Sequence, residues 1–92
     1  MGNIDALAAA RIDSLIQTQP NRYLGPAMGF VNEALQDWNP YATRPADAQL
    51  QTLLTLQRQY ATDWPEPVQQ DLGRQIGDLQ RLIHQHPDVV GR

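Results

Sequence analysis

The sequence predicts an all-α fold: a small bundle of about four helices, ending in an antiparallel helical hairpin. Three observations carry that expectation. Apolar residues recur at three- and four-residue steps along most of the chain, as they do on one face of a helix. Strand-type alternation of apolar and polar residues is missing throughout. The breaks between periodic stretches coincide with proline, asparagine and glycine, which stop helices and make turns. With 92 residues, 41% of them hydrophobic, the chain is expected to form one domain around one modest core.

The first helix is expected from about Asn3 to Gln17. Asn3 can cap it by accepting from an orphan N–H, and Asp5 suits its positive end. Ile4, Ala8, Ile12, Leu15 and Ile16 share a face, with Leu7 at its edge. Arg11 falls inside that arc, where its stem would snorkel past the core to solvent. Pro20 ends the helix by pushing Gln19 out of the helical region. A second helix starts near Asn21 or at Pro26, a residue tolerated in a first turn. Its stripe is Ala27, Val31, Ala34, Leu35 and Trp38, with Met28 and Phe30 at the margins, and it stops at Asn39-Pro40. The segment from Asn39 to Pro45 reads as a loop. A third helix follows from about Pro45 to Thr62, with Leu50, Leu53, Leu54, Leu56, Tyr60 and Ala61 on a wide apolar arc and Gln57 in its middle. Asp63 and Glu66 resemble a capping box around Pro65, launching a fourth helix that runs to about Gln85. So short a joint predicts a hairpin. The fourth helix carries a narrow stripe of Val68, Leu72, Ile76, Leu79 and Ile83, with Leu82 beside it.

Composition narrows the chemistry. There is no cysteine, so disulfides and thiolate metal ligation are not available. The opening residues lack the basic-then-apolar pattern of a secretory signal, and no apolar run approaches the roughly 20 residues that span a bilayer. The expected compartment is the cytoplasm. A net charge of −3 and a pI near 5.0 disfavour nucleic acid or an anionic membrane as partner. All seven basic residues are arginine, as in GC-rich bacterial or phage genomes. A DNA-reading helix-turn-helix fits poorly, because the joint after Trp38 is long and the third helix offers mainly Gln, Thr and a single Arg.

No catalytic, cofactor or metal site is expected. Ser14 is the only serine and has no histidine near it in sequence. Phosphate-binding glycine motifs are missing. His84 and His86 would point some 200° apart on a helix, so they cannot share an ion there. The expected function is therefore non-enzymatic.

What remains are surfaces. Asp71, Arg74, Asp78 and Arg81 form a ladder of alternating charge on the fourth helix, read here as a solvent face that supports the helix weakly. Gly73 and Gly77 form a strip continued by Gln80 and His84. Glycine within a helix costs about 1 kcal/mol relative to alanine, so two of them one turn apart suggest close approach of another backbone, inside the bundle or from a partner. Tyr41 and Arg44, in the proline-bounded loop, are the aromatic and arginine least explained by core packing and match the chemistry of interface hot spots. The candidate partner-binding residues are thus Tyr41, Arg44, Gly73, Arg74, Gly77 and Arg81. The partner expected is a larger protein, bound by a small acidic regulator, inhibitor or chaperone-like accessory protein. A homo-oligomer formed through the hairpin is the alternative.

Overall fold

Helix α1 runs over Ile4–Thr18 and begins as its sequence dictates: the Asn3 side chain accepts from the backbone N–H groups of Asp5 and Ala6 at 3.0 and 3.3 Å. Ala8, Ala9 and Ile12 are buried, and Leu7 is half exposed at the edge of that face. The computed structural model describes residues 3–23 and 27–86. Within them a 3-10 turn over Pro20–Tyr23 follows α1. The predicted helix start at Pro26, together with Gly25, lies outside the described residues.

The second predicted helix is shorter than expected. Helix α2 covers only Phe30–Leu35, preceded by Gly29 in the left-handed region at φ 78°. Glycine adopts that conformation without the clash a Cβ would bring. The expected stripe of Ala27, Val31, Ala34 and Leu35 is buried, and Phe30, expected at its margin, is fully buried with it, while Met28 is exposed. Residues 39–45, expected to be a loop, contain a further single-turn helix, α3 (Asn39–Ala42), with Pro40 in its first turn. Among the described residues there are therefore five α-helices where four were expected.

Helix α4 (Ala46–Gln59) and a 3-10 turn (Ala61–Asp63) make up the third predicted helix. Its buried face is centred on Thr52, Leu53 and Leu56, which leaves Gln57 exposed rather than in the middle of the arc. Helix α5 (Glu66–Gln85) starts from Pro65 with no side-chain cap, so the expected capping box around Asp63 does not form. Asp63 is taken up by the preceding 3-10 turn and is exposed there. Pro67, which has no N–H, removes one of the orphan donors that a cap would serve. The α5 stripe is as expected: Val68, Leu72, Ile76 and Leu79 are buried, and Ile83 packs against them.

One core joins these elements. α4 packs along α5, α1 packs on α4 and α2, and α2 packs on α5. Four long-range hydrogen bonds involving side chains tie the layers. The Trp64 indole N–H donates to Asp13 Oδ1 at 2.6 Å. Asp71, expected on the solvent ladder, is instead buried: its Oδ1 accepts from Gly29 N–H and its Oδ2 from Val31 N–H, both at 2.8 Å. At the other end of α2, the Arg11 Nε–H donates to the Ala34 carbonyl at 3.0 Å, with its guanidinium 5.3 Å from the Trp38 ring centre. The six-residue helix is thus held by an anion from α5 at its N-terminus and a cation from α1 at its C-terminus, matching the signs of its dipole. No helix among the described residues is long and apolar enough to cross a membrane.

Candidate protein-binding surface on α5

At about 100° per residue, Arg74, Gly77 and Arg81 fall on the side of α5 opposite Leu72, Leu79 and Val68, and Gly73 lies on the adjoining flank. The structure brings these four predicted residues onto one outward face. A Cβ built at Gly73 meets nothing within 4 Å, and one at Gly77 meets only Arg81 Nη1, at 3.7 Å. Among the described residues neither glycine serves close packing inside the bundle, one of the two readings their spacing allowed. Gln70, Gln80 and His84 are exposed along the same face.

The two arginines here are oriented by their own helix. Arg74 Nη2 donates to Asp71 Oδ1 at 3.1 Å, and Arg81 Nη2 donates to Asp78 Oδ1. Arg74 retains 42% and Arg81 67% of its side-chain exposure, so both can still meet a partner. The Asp78–Arg81 pair is solvated and contributes little to stability, at most about 1 kcal/mol. The Arg74–Asp71 contact differs, because Asp71 is 95% covered and already bound to two backbone donors. Arg74 balances the charge that caps α2.

Tyr41 and Arg44 are placed elsewhere and differently. Tyr41 is only 5% exposed and belongs to the core, which corrects the expectation that core packing leaves it out. Burial pushes its phenol up to about 12 from the ordinary 10, with the nearby Arg44 charge pulling weakly the other way. Arg44 is half-buried and donates through Nη1 to Thr52 Oγ1 at 2.7 Å, satisfying a hydroxyl that is otherwise sealed in α4. Gln49 adds a bond from its amide nitrogen to the Tyr41 carbonyl at 3.1 Å. Tyr41, Arg44 and Gln49 together fasten α3 to α4.

Two arrangements escaped sequence reasoning. Asp71 reads as one rung of a charge ladder, and only the lack of a capping side chain ahead of Phe30 hints that α2 must borrow one. Arg11 and Ser14 line a groove that no motif announces. Among the described residues no group of three or more His, Cys, Asp or Glu side chains converges. Compared with known protein families, characterised proteins and solved structures, the chain matches none significantly.

Proposed function

We propose that this chain is a non-enzymatic protein-binding module, a small acidic regulator that docks a larger protein on the outer face of its α4–α5 helical hairpin. One observation carries the reading. Gly73 and Gly77 sit in the middle of a 20-residue helix, where each costs about 1 kcal/mol relative to alanine, yet no described part of the fold uses the space they leave. A partner backbone would use it. Arg74 and Arg81 flank the strip and offer forked donors to carboxylates on the incoming surface. The same face would serve a second copy of the chain, with Asp78 and Arg81 exchanging partners across a two-fold axis.

The test compares wild type with Gly77→Leu, whose Cβ meets only the flexible end of Arg81 and whose bulk would block close approach. Light scattering gives the oligomeric state, and affinity capture followed by site-specific photocrosslinking from position 70 locates the contact. Loss of a crosslinked partner in a variant that still folds supports docking. A concentration-dependent dimer abolished by Gly77→Leu points to self-assembly. Unchanged crosslinking in folded Gly77→Leu and Gly73→Leu would refute both.

A further inference from the structure

A groove of about 280 Å³ opens between α1 and α2, lined by Arg11, Ser14, Leu15, Thr18, Glu33 and Ala34. That volume stands at the lower edge of small-molecule sites, which enclose about 300–1,000 Å³. The Arg11 head is fixed in it from two sides, by the Nε–H bond to the Ala34 carbonyl and by the Trp38 ring against its face. A guanidinium has five N–H donors, and this arrangement uses one. Arg74 and Arg81 each hold a carboxylate, whereas Arg11 holds none among the described residues. Ser14 lies three residues along the same side of α1. Its carbonyl accepts from Thr18 Oγ1, and its own hydroxyl engages no described group. Leu15 and Ala34 supply apolar wall, and Glu33 lines the α2 side.

We propose that this groove binds a monocarboxylate with a short aliphatic body. The Nη groups of Arg11 form the fork that receives the carboxylate, and the Ser14 hydroxyl donates a further bond to it. The aliphatic part lies on Leu15 and Ala34. Because Arg11 is already immobilised, little side-chain ordering opposes binding. Phosphate has no aliphatic body to lay on Leu15 and Ala34, so it gains nothing from the apolar wall. The carboxylate can belong to a free small acid or to the C-terminus of a polypeptide, and the two are separable. The site is independent of the α5 face.

Two-dimensional NMR of the full chain, titrated at constant ionic strength, tests this through the Arg11 Nε–H, the Ser14, Leu15 and Ala34 amides, and the Trp38 indole. The probes are butyrate, N-acetylleucine, N-acetylleucinamide and inorganic phosphate. Both acids should give saturable shifts at these positions, and the amide none. Phosphate should bind at least about fivefold more weakly than the acids. Tighter binding of N-acetylleucine than of butyrate assigns the site to a polypeptide C-terminus, and equal binding assigns it to a free acid. Arg11→Lys, which keeps the charge and loses the fork, should weaken both acids about tenfold. Ser14→Ala changes an exposed side chain with no role in the fold and should weaken them about fivefold, the worth of one hydrogen bond. It keeps the test valid if Arg11→Lys loosens α2. The proposal is overturned if the amide shifts the same signals as the acid. Failure to saturate by about 50 mM, or unchanged affinity in Ser14→Ala, overturns it too.

Discussion

Replacing Gly73 and Gly77 by alanine should make this protein more stable, and the size of the gain can be argued from the structure. Both residues lie well inside α5, seven and eleven positions after its first residue and far from its C-terminal Gln85. Neither has the positive φ that would require glycine; among the described residues only Gly29 does. An added Cβ at Gly73 finds open space, and at Gly77 it makes ordinary contact with the flexible end of Arg81. No steric term therefore opposes the change, and the helix-propensity difference of about 0.8–1.0 kcal/mol should appear almost undiminished at each site. For a domain of 92 residues, whose total stability is roughly 5–14 kcal/mol, the double variant gains about 2 kcal/mol. Each substitution should raise the melting temperature by about 4–8 °C. Urea denaturation followed by circular dichroism, with calorimetry in parallel, measures this directly at low protein concentration. A melting temperature at or below wild type for either variant would refute the argument, since it would mean that the strip packs against part of the folded chain. An increase restricted to dilute protein, reversed at high concentration, would show that a second copy occupies the strip.

Three further outcomes are expected. Asp71→Ala should cost about 2–4 kcal/mol in urea denaturation, because it leaves the Gly29 and Val31 N–H groups without their acceptor, and Asp71→Asn should fall between, since its amide can serve only one of them. Alkaline pH should expose Tyr41: its folded pKa of about 12 exceeds the unfolded 10, so its contribution is complete below pH 10 and is lost as pH rises through 12. That loss is on the order of 2 kcal/mol, it should be missing in Tyr41→Phe, and the lack of lysine keeps the titration free of other side-chain amines. Leu53→Ala and Leu72→Ala, at fully buried positions, should each cost about 2–5 kcal/mol, whereas Asp63→Ala, at an exposed position that caps nothing, should stay within about 0.5 kcal/mol on the same denaturation curves.

The parts of the fold that were legible in the sequence are those set by neighbours within one or two turns. The Asn3 cap, the span of α1 and the apolar stripe of α5 follow from local spacing, and the structure has them. α2 was not legible, because its start depends on a left-handed glycine and on a carboxylate forty residues away. Wheel positions gave the stripe of Ala27, Val31, Ala34 and Leu35 but put Phe30 only at its margin, although it is fully buried. Asp71 was misread for a related reason: an i, i+3 charge pair looks alike whether its carboxylate faces water or another helix end. Tyr41 was misread because a proline-bounded segment of seven residues leaves no periodicity to show which way a side chain turns. At the candidate surface, the exposure of Arg74 and Arg81 was legible from their phase relative to Leu72 and Leu79, whereas spacing left open whether Gly73 and Gly77 face the bundle or a partner. The Arg11–Ser14 groove was not, since it exists only where α1 meets α2.

The clamp on α2 also bears on the order in which the chain acquires its structure. Six residues are far short of the roughly 12–15 needed for even marginal helicity in water, so α2 has almost no tendency to form alone. Its two anchors close stretches of chain 23 and 40 residues apart, contacts whose closure entropy must be met before they return anything. α2 should therefore consolidate after α1 and α5 have both packed on α4, on the native side of the rate-limiting barrier. Weakening it, by Ala34→Gly for instance, would speed unfolding and leave refolding nearly unchanged. The Val31 amide, whose proton is held by the buried Asp71 carboxylate, would exchange with solvent only when α5 lets go.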